Sequence, residues 1–151
     1  MTTSDELPDI FKNTSADMSL DELEQKALDI IADMSKKYVR WASNDVAKLE
    51  KLFAQIQQLP SQERDALIRG DFYRTAHDIK GQGATFDYPL MSDLGAHLCT
   101  LIKTTDTFDE THLAVMAQDI KDMAQVLEKG LQGDGGQIGT AISKRLKKDS
   151  L

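Results

Sequence analysis

The chain is short of several things, and each shortage excludes something. A single cysteine, Cys99, leaves no intramolecular disulfide and fits a reducing compartment. Three prolines and nine glycines occur in 151 residues, scarce until the C-terminal end, and no alternating β-branched run accompanies them, so strands are not expected. No apolar run approaches the roughly 20 residues a membrane helix needs. The first twenty residues are acidic and polar and do not resemble a signal peptide. A cytoplasmic protein without membrane contact is the expectation. Basic charge is sparse too. The net charge is −7, and residues 1–24 hold seven acids against Lys12 alone, so the rest is nearly neutral. Only "SKRLKK" (Ser143–Lys148) is basic, and no basic face spreads over the body as a nucleic-acid reader requires. No G-x-x-x-x-G-K-[ST] phosphate loop is present. "GDGGQIG" (Gly133–Gly139) is glycine-rich but follows a helical pattern rather than a strand, so ATP-dependent autophosphorylation is not expected.

What remains is an ordinary single-domain composition, 40% hydrophobic and 28% charged. Its apolar spacing is helical almost throughout. Leu20, Leu23, Ala27, Ile30 or Ile31, Met34, Tyr38 and Trp41 recur at three or four, and Val46, Leu49, Leu52 or Phe53, and Ile56 continue the pattern. This is one very long helix, or two with a break near Lys36-Lys37 or Ser43-Asn44, ending at Leu59-Pro60. Ser61 is expected to cap the next segment, Gly70 to loosen it, and Asp71 to restart it. Pro89 suits the first turn of a helix presenting Leu90, Leu94, Leu98 and Leu101. "TFDE" (Thr107–Glu110) has capping-box spacing and opens a last long helix with Leu113, Met116, Ile120, Met123, Leu127 and Leu131.

The expected fold is all-α: an antiparallel up-and-down four-helix bundle with an additional N-terminal helix. Residues 1–19 form an acidic flexible segment, 20–132 a single domain with its bundle core over 37–131, and 133–151 a Gly-rich, then basic, flexible tail. Such a bundle closes its own core, so a monomer is expected.

The stretch "AHDIKGQGATFDYP" (Ala76–Pro89) holds the candidate chemistry. On a helical wheel with His77 at 0°, Ile68, Phe72, Ile79 and Phe86 fall at roughly 180–220° and form the buried stripe. His77 therefore faces away from the core. Tyr73 and Lys80 lie near −40° and −60°, Ala84 near −20°, Gly81 near +40° and Arg74 near +60°, roughly on the same face. Glycine inside a helix costs about 1 kcal/mol relative to alanine. Gly83, near the core side, fits close helix packing. Gly81 does not face the core, and its bareness leaves room for a second body beside the imidazole.

His77, Lys80 and Gly81, as "H-D-I-K-G", resemble the H-x-x-K-G signature of histidine-containing phosphotransfer (HPt) domains of bacterial two-component phosphorelays. Ala76 and the small residues after Gly81 match the same pattern. The resemblance covers residues 70–103 by motif and about 37–131 by architecture. It implies that His77 Nε2 accepts a phosphoryl group from a phospho-aspartate receiver or a kinase donor. The group then passes to an aspartate of a response-regulator receiver. It further implies that Lys80 stabilises the phosphoryl charge, and that Gly81 supplies steric clearance. The partners are sensor histidine kinase and receiver domains, and the Mg²⁺ belongs to the receiver, so this chain needs no cofactor or metal of its own. The wheel extends the docking surface to Tyr73, Arg74 and Ala84. One position departs from the family pattern. A glycine is common ten residues after the histidine, where this chain has Asp87, which tolerates the left-handed backbone and preserves the turn.

The other histidines read as structural: His97 at the border of its helix, His112 solvated in a first turn. With His77 and Cys99 they lack the spacing of a bundle metal site. Cys99 reads as a small buried apolar group. The competing function is a helical adaptor that binds a receiver or kinase without phosphoryl chemistry. Retention of both His77 and Lys80 argues against it.

Overall fold

A computed structural model describes residues 18–149, and these are helical without a strand. The chain divides into two compact units, residues 1–36 and 37–151. Helix α1 spans Leu20–Gln58. Of the two sequence alternatives the single long helix forms, because neither Lys36-Lys37 nor Ser43-Asn44 carries a glycine or proline to stop it. The Ser19 hydroxyl accepts from the Glu22 N–H at 3.1 Å and caps its start. The acidic segment 1–19, expected to be flexible, lies outside the described residues except for Met18 and Ser19.

In the second unit, α1 buries Tyr38, Ala42, Val46, Leu49, Leu52, Phe53 and Ile56, one stripe at three- and four-residue intervals. Pro60 ends the helix. The Arg64 guanidinium then donates to the Ile56 and Leu59 carbonyls at 3.2 Å each, satisfying acceptors that α1 leaves open. Helix α2 covers Ser61–Leu67. Ser61 is its first residue rather than its cap. The Pro60 carbonyl takes the first N–H groups, from Glu63 and Arg64, and no side chain caps the end.

Residues Ile68–Phe72 form a wide π turn in which Gly70 leaves helical geometry (φ −92°, ψ −108°). The turn re-aims the chain into α3, Tyr73–Gln82. Arg69, beside the kink, donates to the Ile102 and Thr105 carbonyls at 2.8 and 2.5 Å and lies over the Phe108 ring, so the kink is tied to the chain around residues 102–108. A short 3₁₀ turn, Ala84–Phe86, leads to Asp87 in the left-handed region (φ 62°). Asp87 thus adopts the conformation proposed for it from the sequence. Helix α4 follows over Pro89–Thr104, with its proline in the first turn.

Helix α5 spans Glu110–Lys129. Its capping box is two residues later than the sequence suggested. Asp109, not Thr107, accepts from the Thr111 and His112 N–H groups, and His112 Nδ1 accepts from the Asp109 N–H at 3.1 Å. An imidazole here replaces the usual glutamate of the motif. His112 is therefore part of a cap rather than a solvated bystander.

The expectation for residues 133–151 needs correction. Where a flexible tail was expected, helix α6 runs over Gly136–Lys148 and buries Ile142 and Leu146. The glycines belong to its start rather than to a linker. Gly139 approaches so closely that a β-carbon there would lie 1.7 Å from the Asp134 carbonyl oxygen, so no other residue fits without moving the chain. Arg145 in the "basic tail" is not solvated. It donates to Asp119 and Asp122 of α5, at 2.7 Å each, and to Asp149 at 3.0 Å. Asp119 is fully buried and also meets His97 Nδ1 of α4 at 2.6 Å. A charged network so buried must be nearly complete in its hydrogen bonding to be tolerated, and this one joins α4, α5 and α6.

Candidate functional site

The candidate site is built on α3 and braced by α4. Phe72, Thr75, Ala76 and Ile79 are buried, and the Thr75 hydroxyl returns to the Asp71 carbonyl at 2.9 Å. This anchoring turns the opposite face outward. His77, Asp78, Lys80, Gly81, Arg74 and Ala84 are exposed, and Tyr73 is half-buried. The structure thus brings His77, Lys80, Gly81, Tyr73, Arg74 and Ala84 onto one accessible region.

His77 and Lys80 stand one turn apart, where side chains are neighbours. Neither makes a side-chain hydrogen bond or ion pair among the described residues. A β-carbon on Gly81 would meet nothing within 4 Å, so this glycine serves no packing within the chain. Gly83 differs: a β-carbon there would lie 2.6 Å from Ser92 Oγ and 2.7 Å from the Tyr88 carbonyl oxygen. The two glycines therefore divide as the wheel suggested, one facing open space and one against the next helix. Arg74 is less available than its exposure implies, because its guanidinium is bonded to Asp71 one turn earlier.

Several features that position the site were not singled out from the sequence. Gly95 of α4 is one. A β-carbon at Gly95 would fall 2.7 Å from the Lys80 nitrogen and 2.9 Å from the Ala76 carbonyl oxygen. The backbones of α3 and α4 therefore cross directly behind the His77–Lys80 turn. Lys103 is another. Its Nζ lies 5.7 Å from the centroid of the Tyr73 ring, and the Tyr73 ring centroid is 6.1 Å from that of His77. Interaction with the Tyr73 phenol raises the Lys103 pKa above its ordinary value. Lys80 and Lys103 both act on Cys99, whose thiol is pushed up by burial and drawn back by these two cations. The α3–α4 seam beside His77 is thus positively charged from both helices. Folding the chain back at Asp87 brings Lys103 level with Tyr73. That register was the available signal.

On the other flank, Asp78 faces α1. The half-buried Asp45 carboxyl is raised by burial and then by Asp78, with Lys48 opposing. The end of α3 is fixed by aromatic packing. The Tyr38 ring stacks on Phe86 at 4.9 Å and lies 5.4 Å from Tyr88, and burial pushes its phenol up to about 12. The Ala84 N–H donates to Ser92 Oγ at 2.8 Å, and the Tyr88 N–H to the Gly83 carbonyl at 2.8 Å.

The three histidines have separate environments: His77 exposed, His97 buried against Asp119, His112 in the α5 cap. Among the described residues no group of three or more His, Cys, Asp or Glu side chains is arranged to hold a metal ion. Among them, too, no helix is long and apolar enough to cross a membrane.

Comparison with protein-family models, with curated proteins and with solved structures returns no match. The functional reading therefore stands on the residues of the site and the motif they form.

Proposed function

We propose that the chain is a phosphotransfer domain of the HPt type, a cytoplasmic intermediate that carries a phosphoryl group on His77 between partner proteins. The observation that carries the reading is the outward display of His77, Lys80 and Gly81 on one region of α3, with Gly81 bare toward solvent and unused in packing. The finer architecture belongs to the same proposal. The second half of α1, the kinked α2–α3 segment, α4 and α5 are read as an antiparallel up-and-down four-helix bundle over residues 37–131. Short connections between successive helices and the packing of α4 against both α3 and α5 support it.

In the proposed reaction the neutral His77 imidazole attacks the phosphorus of an aspartyl phosphate on a receiver domain. The Nε2–P bond forms as the P–O bond to the aspartate breaks, and the carboxylate leaves with that electron pair. The proton on Nδ1 stays in place. Little covalent work falls to the protein, so positioning and charge neutralisation dominate. Lys80 supplies a point charge beside the phosphoryl oxygens, and the receiver brings its own Mg²⁺. Gly81 and Ala84 leave the receiver free to approach, and Tyr73 and Arg74 border the contact. The reverse attack by a second receiver's aspartate regenerates the imidazole. Donors are sensor histidine kinases or their receiver domains, and acceptors are response-regulator receivers. The chain does not phosphorylate itself.

The test is phosphate uptake. The 151-residue chain mixed with phosphorylated receiver and Mg²⁺ is expected to gain an acid-labile, base-stable phosphate, and His77→Gln to gain none. Lys80→Ala is expected to fold normally and slow transfer by about 10²-fold, the usual loss for one preorganised charge. Uptake by the His77→Gln protein would remove the site assignment. No uptake from any kinase or receiver of the host would favour the adaptor reading.

A further inference from the structure

We infer that residues 20–34 of α1 form a self-association surface, on which a second copy of the chain pairs antiparallel. The inference is independent of the phosphotransfer reading. Leu20, Leu23, Ala27, Ile30, Ile31 and Met34 lie within about 100° of the helix circumference, the width of a buried face. Yet Leu20 is 83%, Ile31 60%, Met34 44% and Ile30 36% exposed, and Leu28 at the edge of the stripe is 54% exposed. Six apolar residues in register over about four turns exceed scattered surface hydrophobicity. The monomer expected from the sequence rests on a bundle over residues 37–131 and leaves this stripe unaccounted for.

Charge selects the occupant. Lys26 and Asp33 flank the stripe on the same side, two turns apart. In an antiparallel pair, Ala27 packs on the partner's Ile30 and Leu23 on the partner's Met34. Equivalent flanks then face each other, which brings Lys26 beside the partner's Asp33 and, by two-fold symmetry, Asp33 beside the partner's Lys26. In a parallel in-register pair the opposite flanks meet instead, and Lys26 and Asp33 face Ile31 and Tyr38. Antiparallel pairing thus matches charges twice and parallel pairing not at all. Asp33 already has a partner in its own chain, and a carboxylate accepts more than one donor, so the cross-helix contact adds to it. An anionic lipid surface fits poorly. Residues 20–34 carry Asp21, Glu22, Glu24, Asp29 and Asp33 against Lys26, whereas membrane-surface helices are rich in lysine and arginine on the polar face. The stripe is short, so the dimer is weak and depends on concentration.

Sedimentation equilibrium of the full chain from low micromolar to submillimolar concentration tests this. The mass is expected to rise from 16.8 kDa toward twice that value. Met34→Glu, at an exposed position, is expected to hold the protein at monomer mass. Lys26→Glu and Asp33→Lys should each weaken association several-fold, and the two together should restore it, since the swapped charges again match across the pair. A monomer mass at every concentration would overturn the inference, whether or not the protein co-sediments with anionic vesicles. So would association that ignores Met34→Glu, or charge reversals that weaken without rescue.

Discussion

At the scale of single residues, the glycines of one short region are put to different uses. Gly81 faces empty space, and its backbone is helical. Gly81→Ala should therefore raise the stability of the fold by about 0.5–1 kcal/mol in urea titration. The same change should slow transfer from a phosphorylated receiver by about tenfold, because a displacement near 1 Å spoils a reaction that depends on alignment. A variant that is more stable and equally fast would show that clearance at Gly81 is not used. This distinction was legible in the sequence, since a wheel places Gly81 off the core and Gly83 toward it. The role of Arg74 was less legible. Its phase on the wheel is right, but a wheel does not reveal that Asp71 takes its charge.

At the scale of elements, the site depends on where α4 crosses α3. Gly95 lets the two backbones meet behind Ala76 and Lys80. Gly95→Ala would push a methyl into the Lys80 nitrogen, and overpacking of this kind typically costs about 1–3 kcal/mol. A lowered urea midpoint with unchanged helical content is expected. An unchanged midpoint would mean that the helices separate without cost. Helix boundaries set by proline were readable from the chain at Pro60 and Pro89, whereas apolar spacing alone left α1 open between one helix and two. Two further readings were displaced, one by local chemistry and one by tertiary structure. The α5 cap moved from Thr107 to Asp109 because His112 can close the motif from the imidazole side. Residues 136–148 looked like a linker because glycine dominates their start. Their helix is signalled instead by Ile138, Ile142 and Leu146 at four-residue spacing, and it is held by Arg145. A lone run of residues does not disclose that Asp119 waits on another helix.

At the scale of the whole molecule, the network of His97, Asp119, Asp122, Arg145 and Asp149 links stability to pH. The Asp119 hydrogen bond raises the His97 pKa, against burial and Arg145. A histidine raised in the folded state contributes stability that is fully present below its unfolded pKa, about 6.5. That contribution is lost as pH rises through the raised folded pKa. The unfolding free energy should therefore fall as pH rises above about 6.5, and His97→Gln should flatten that dependence. A profile equally steep in the variant would assign the dependence to other groups. Asp119→Ala would leave His97 without its carboxylate and Arg145 with Asp122 and Asp149 alone, and should cost about 3–5 kcal/mol. The sequence placed His97 correctly as structural but could not name its partners, which lie 22 and more residues away. The most direct test of the account is the location of the phosphate after exposure to a phosphorylated receiver with Mg²⁺, read by mass spectrometry of peptides kept at alkaline pH. The account predicts phosphate on His77 alone, lost on acidification and absent from His77→Gln. Phosphate on any other residue, or none on a protein that binds the receiver tightly, would contradict it.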